Sequence, residues 1–207
     1  MLARQATAAD LDAVTTIITL AFANDPIWSV ALARGDGDTA HHAPYWRLFV
    51  EGAARHGTVF IAPGGVAASV WLPPGTPELD DTGTEHLEAI LHEHLDPDGV
   101  DAIHELFGRF EASRAGRDRH YYLSLLATHP EHAGQDHGQQ LLAENLARWD
   151  AAGAPAYLES TNPANDHRYQ RLGFRVDGGF RAVRDDAWVS AMWREIGADD
   201  ESARKPG

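Results

Sequence analysis

The sequence predicts a single mixed α/β domain built on a twisted, mostly antiparallel sheet with one parallel strand pair. Three observations carry this. Residues 120–128, HYYLSLLAT, form an aromatic and aliphatic run bounded by charges and by Pro130, the mark of a strand. A loop bearing Gly134 and Gly138 leads into QQLLAENLARWD, in which Leu141, Leu142, Leu146 and Trp149 are spaced for one buried helical face. Residues 156–161 then read as another strand, so a helix crosses between two strands, the connection that parallel neighbours require.

The remaining elements follow in order. Residues 2–6 give a short strand. Thr7, three residues before Asp10, starts a helix whose hydroxyl and carboxylate satisfy orphan N–H groups. Leu11, Val14, Ile17, Ile18, Ala21 and Phe22 form its apolar stripe, and Asn24-Asp25-Pro26 stops it. Tyr45, Leu48, Phe49 and Gly52 predict a second helix ending near Gly57. Residues 58–62 and 66–72 read as a hairpin around Pro63-Gly64-Gly65, closed by Pro73-Pro74, because proline cannot donate to a ladder. From residue 80 to 115 the text is helical in two pieces: one carries Leu87, Ile90, Leu91 and Leu95. Asp96-Pro97 caps the other, with Ile103, Leu106, Phe107 and Phe110 on one face. After Gly153 and the strand at 156–161, Asn162-Pro163-Ala164-Asn165 starts a short helix that Gly173 ends in a left-handed cap. Residues 174–182 and 187–193 close the domain as a strand pair. The domain is expected over residues 1–196, with residues 197–207 a disordered polar tail.

Composition narrows the function. The net charge of −14 and pI of about 5.1 oppose nucleic acid and anionic membrane, and no basic patch offsets them. No apolar run is long enough to cross a bilayer and no signal segment is visible, so a cytoplasmic protein is expected, with no nucleic-acid or membrane partner. With no cysteine there is neither a disulfide framework nor thiol chemistry. The 12 histidines raise the question of a metal. His92 and His94, two apart on a helix, point to different sides, and His129, His132 and His137 lack zinc-site spacing and partners. Surface histidines are the better reading, and no metal is expected.

A strand, a glycine-bearing loop and a helix N-terminus in succession form a phosphate-binding geometry, because free N–H groups and the positive end of the helix dipole converge on one spot. The stretch HYYLSLLATHPEHAGQDHG, followed by AYLESTNPANDHRYQRLGF, resembles the GCN5-related N-acetyltransferase (GNAT) superfamily. The similarity covers nearly the whole chain and is strongest over residues 120–180. It implies the single-domain GNAT fold, with helices on both faces and the parallel strands splayed to admit the pantetheine arm of acetyl-CoA. By this resemblance Leu126, Ala127 and Thr128 supply the strand edge. Gly134, Gln135, Asp136, His137, Gly138 and Gln139 wrap the pyrophosphate, and Asn162 and Asn165 face the cofactor arm. Tyr169, in Tyr-x-x-x-Gly-Phe, matches the tyrosine that often protonates the leaving thiolate; packing at the helix–strand junction is its other reading.

The loop departs from the family pattern. Ala133 replaces a polar residue and Asp136 occupies a glycine position. Aspartate tolerates the left-handed region better than most residues. Its carboxylate beside a diphosphate would cost roughly 1–3 kcal/mol if partly desolvated; pointing to solvent it would cost little. Glu159, on the strand beside the splay, is the best single candidate for general base, and Ser124 and Tyr122 line the acceptor side. Trp28, Tyr45, Trp46 and Trp71 fall in segments that cover the acceptor cleft in the family; they serve either an aromatic pocket or the core.

The expected activity is therefore direct transfer of an acetyl group from acetyl-CoA to the amine of a small-molecule acceptor. The alternative is a repurposed GNAT fold with a degenerate CoA loop (Ala133, Asp136) that takes another ligand or a carrier-bound acyl group, or binds without catalysis. A homodimer is left open.

Overall fold

The computed structural model describes residues 2–117 and 119–198. Its sheet has seven strands in the order β1-β2-β3-β4-β5-β7-β6: β1 Arg4–Gln5, β2 Val59–Ile61, β3 Ala67–Leu72, β4 Tyr121–Thr128, β5 Ala156–Ser160, β6 Arg175–Arg181 and β7 Trp188–Arg194. Every neighbouring pair is antiparallel except β4 and β5, the pair the crossover predicts. The expected tail from residue 197 falls almost wholly outside the described residues. Of its first residues, Gly197 donates its N–H to Asp150 at 2.8 Å.

Helices cover both faces. On one side lie α1 (Leu11–Phe22), α2 (Trp28–Ala31), α3 (His42–Ala54), α4 (Asp81–His94) and α5 (Pro97–Arg114). The start of α1 is fixed as the sequence implies: Asp10 accepts from the Thr7 N–H at 2.8 Å and from its hydroxyl at 2.7 Å. Asp96 caps α5 by accepting from Gly99 N–H at 2.7 Å. On the other face α6 (His137–Ala151) buries Leu141, Leu142, Leu146 and Trp149, the four residues of its predicted stripe. Asn145 of α6 is fully buried and accepts from Ser69 Oγ at 2.6 Å and Trp71 Nε1 at 3.0 Å, which fixes the helix over β3. The short α7 (Asp166–Gln170) follows β5, and Gly173 beyond it has φ +85°, the left-handed end its position requires.

Trp71 takes the core role of the two open to it. It does not reach the acceptor side; it sits in the cluster under α6, edge-on to Trp149 with ring centroids 5.6 Å apart. β3 alternates regularly: Ala67, Ser69 and Trp71 face α6, and Ala68, Val70 and Leu72 face the opposite core. Its neighbour β4 carries a β-bulge. Val70 pairs with Leu125 and Trp71 with Leu123, so Ser124 is the extra residue on β4. The bulge shifts the side-chain phase: Leu123 joins the core under α6, whereas Leu125 and Ala127 join the core on the opposite face.

Candidate active site

β4 and β5 part company after three residue pairs, the last being Leu123 with Leu158. β4 continues to Thr128 with β3 on one side and no strand on the other, so half of the backbone N–H and C=O groups over residues 124–128 face a gap. The bulge at Ser124 turns the strand at the point where the gap opens. A cavity of about 360 Å³ occupies it.

Leu126, Ala127 and Thr128 line this cavity, as the open edge requires. Gly134, Asp136, His137, Gly138 and Gln139 line its loop end, and Asn162 and Asn165 its opposite wall. Gln135 does not reach the cavity; its side-chain oxygen meets His137 Nε2 at 3.2 Å instead. Among residues singled out from sequence, Ser124, Tyr122, Trp28, Tyr45 and Trp46 also line it.

The loop keeps its turn without the expected glycine. Asp136 has φ +58° and ψ +14°, a left-handed residue at the N-cap of α6, and its side chain makes no capping bond. The first bond across that end runs from Gln140 N–H to the Asp136 carbonyl at 2.9 Å, leaving the N–H groups of the first turn outside the helical ladder. Gly138 is required for closeness: a Cβ there would stand 2.7 Å from Thr128 Oγ1. The helix end is thereby pressed against the last residue of the open strand. His137 Nδ1 is buried there with no partner. The free N–H groups and the helix N-terminus fit a diphosphate, against one carboxylate.

At the other end, Glu159 projects from β5 into the same cavity. Its Oε1 accepts from Tyr157 Oη at 2.8 Å, while Oε2 is buried with no partner. Burial pushes the carboxyl up to about 7; the Arg114 guanidinium and the phenols of Tyr157 and Tyr122 pull the other way and are outweighed. Arg114 stands 4.3 Å over the Tyr122 ring and pairs with Glu78 at 2.7 Å. Tyr169 on α7 lines the cavity with its ring against Phe174, centroids 6.2 Å apart. Burial, then the charges of Asp25 and Asp166, push its phenol up to about 12, so it stays protonated at any physiological pH.

Sequence reasoning missed Arg114, Glu78 and Asp25. Asp25 accepts from the N–H groups of Ile27 and Trp28 at 3.0 and 3.1 Å and from Thr161 Oγ1 at 2.6 Å, tying the α1–α2 turn to the end of β5. Asn24-Asp25-Pro26 reads as a helix stop, which it is; the tie to Thr161 spans 136 positions and leaves no local trace.

Residues 100–176, from α5 through the open strand, the loop, α6, β5 and α7, match the model of the acetyltransferase (GNAT) domain. Solved structures share the architecture. A histone acetyltransferase and related acetyltransferase from Corynebacterium glutamicum is 23% identical, with 94% of this chain and 96% of that one covered and a TM-score of 0.63. Polyamine N-acetyltransferase of Drosophila melanogaster is 16% identical over 94% of this chain and 99% of its own, TM-score 0.66. Arylalkylamine N-acetyltransferase 2 from Aedes aegypti is 12% identical over 95% and 99%, TM-score 0.65. At these identities the structural likeness is one of fold. The family match falls on the stretch that builds the cavity: residues 100–176 carry a GNAT acetyltransferase domain match, and the chain has the fold of these acetyltransferases.

Proposed function

We propose that the cavity holds acetyl-CoA and the primary amine of a small molecule together and that the acyl group passes directly between them. The observation that carries this reading is one continuous cavity: the free edge of β4, the N-terminus of α6 at one end and the unpartnered Glu159 Oε2 at the other. Similar folds acetylate polyamine and arylalkylamine acceptors, and this too supports an amine. Acetyl-CoA supplies a thioester carbonyl open to attack. Leu126, Ala127 and Thr128 hold the pantetheine arm by backbone bonds, and Gly134, His137, Gly138 and Gln139 hold the diphosphate. A backbone N–H near Leu126 faces the charge that develops on the carbonyl oxygen. Glu159 takes a proton from the ammonium, freeing the lone pair that forms the new C–N bond; as the C–S bond breaks Tyr169 gives its proton to the departing sulfur, and the second proton lost from the nitrogen restores the phenol, leaving neutral amide and thiol.

The test is CoA release with an amine panel, alongside melting with acetyl-CoA. Ligand at 100 times its Kd should add about 2.7 kcal/mol. No shift at millimolar acetyl-CoA would overturn the donor assignment and favour the repurposed-fold reading. One observation speaks for that second reading: Asp136 lines the cavity at the loop end, and no lysine or arginine lies between Arg119 and Arg148.

Asp136→Gly therefore measures the loop directly. Removing the charge and the left-handed strain should tighten CoA binding about threefold, more at low salt, because screening reaches about 10 Å at 0.1 M. Calorimetry in low and moderate salt checks this. Equal affinities would place the carboxylate away from the ligand.

A further inference from the structure

α2 is a helix of four residues, too short to be stable alone. It carries Trp28, whose ring meets those of Trp46 at 5.2 Å and Tyr45 at 5.9 Å, and all three line the acceptor end of the cavity. The far end of α2 is held from α3. His41 Nε2 lies 3.0 Å from the carbonyl of Leu32, the residue that closes α2, and both residues are 1% exposed. A carbonyl only accepts, so His41 carries its proton on Nε2. Its Nδ1 is buried with no partner, and a proton added there would leave a donor unmet.

Two more imidazoles close round it. His42 stands edge-on to His41 with ring centroids 4.6 Å apart, and its Nε2 is buried with no partner. His94, at the end of α4, stacks on His41 at 5.2 Å, and its Nδ1 lies 2.9 Å from Arg34 Nη1. A guanidinium only donates, so this nitrogen too must be bare to make the bond.

The charges around the cluster do little to receive a proton. Arg34 is a cation, and its neighbour Asp36 is taken up by it at 3.0 and 2.7 Å. Asp38 favours a charged His42 but already accepts from the Ala40 N–H at 3.1 Å. His41 is the N-cap of α3, where the helix dipole is positive. Burial is the main cause that holds His41 and His42 below the usual imidazole range; at His41 the charges of His42, His94 and Arg34 add to it, against the Leu32 bond. In an opened segment the imidazoles would meet water and titrate near 6.5, so acid draws the equilibrium toward the open form.

We propose that His41 is a positioning residue that holds α2 against α3, and that protonation of the His41–His42–His94 cluster in mild acid parts them. The aromatic wall then loosens, while the loop end, built on α6 across the sheet, keeps its shape. The acyl-transfer reading enters only in naming that wall the acceptor end.

Amide hydrogen exchange, corrected for the intrinsic rate, reads the wall without an assay of activity. The Leu32 and Tyr45 amides donate to the carbonyls of Trp28 and His41, each at 3.0 Å. From pH 7.5 to 5.5 their protection should fall about tenfold or more in the wild type, and that of α6 should not. His41→Gln keeps a donor toward Leu32; combined with His42→Gln it removes two titrating groups, and this double variant should hold its protection to within about threefold. His41→Phe keeps a ring but no donor, and should be poorly protected at both pH values. With any amine that is turned over, the acceptor KM should rise about tenfold more on acidification in the wild type than in the double variant, a comparison in which Glu159 and the amine titrate alike and cancel. Wild-type protection unchanged by acid, a fall that α6 shares or that the double variant keeps, an equal rise of KM in both proteins, or full protection in His41→Phe at pH 7.5 each overturns the proposal. Failure of the acyl-transfer reading looks different: no amine releases CoA from any of these proteins, and the exchange result is untouched.

Discussion

Glu159→Gln is expected to lower kcat by about a hundredfold or more at pH 8 while raising the melting temperature at that same pH. The first effect follows from the base. A carboxyl pushed up to about 7 is mostly ionised at pH 8, its Oε2 has no partner, and Glu159 lines the cavity where an ammonium would be presented. Glutamine keeps the shape and can accept from Tyr157, but it cannot take a proton. The wild-type rate should climb as pH rises through about 7 and then level, and the variant should lose that limb. Any pH dependence left in Glu159→Gln should be that of the amine itself. A variant that keeps the limb near 7 would remove Glu159 from proton transfer.

The second effect is linkage. The folded state holds this proton more tightly than an unfolded chain, whose carboxyl titrates at 4.5. The contribution of this group to stability is therefore fully present below 4.5 and is lost as pH rises through about 7, where the buried carboxyl must ionise. The shift corresponds to on the order of 3 kcal/mol. Glu159→Gln carries no charge and should show no such fall, so its advantage in melting temperature should appear at pH 8 and vanish near pH 4. The site thus holds a carboxylate that the fold disfavours, which is what a base working near neutrality requires.

Much of this architecture is legible in the chain because it rests on local signals. The Thr7–Asp10 start, the Asp96 cap, the left-handed Gly173 and the apolar stripe of α6 are each set by residues within a turn of one another. The parallel pair follows from a helix between two strands. The site is legible where it is backbone: the open edge and the helix end need only their order in the sequence. What hid was set across distance or by phase. YYLSLLAT is apolar at so many positions that its alternation cannot betray the bulge at Ser124, and β3 is buried on both faces, so its sequence alone does not say which face Trp71 takes. The Glu78–Arg114 pair joins a connecting segment to the end of a helix 36 positions on, and it decides which carboxylate is free. Asp136 was legible in half. Its tolerance of a left-handed turn can be read from residue type, whereas its place on the cavity wall depends on how closely Gly138 lets α6 approach Thr128.

Tyr169→Phe should lower kcat by roughly tenfold or more while leaving acetyl-CoA binding nearly unchanged. The ring sits in the cluster under α6 and against Phe174, contacts that phenylalanine keeps, so neither the fold nor the cavity wall should move. What is lost is a phenol held near 12 by burial and by the charges of Asp25 and Asp166. Such a group is a poor acid toward water but is fully protonated when a thiolate develops beside it, and its proton matters chiefly as the C–S bond breaks. The loss should therefore fall on kcat more than on KM. It should also shrink when the thioester is replaced by one with a more acidic thiol, whose sulfur needs less help in leaving. That second comparison separates proton delivery from packing, since a packing defect would slow both donors alike. An unchanged kcat, or an equal loss with both thioesters, would return Tyr169 to the core. Water in the cavity can replace the phenol in part, so Tyr169→Phe should retain measurable turnover, whereas Glu159→Gln loses a buried carboxylate on the cavity wall.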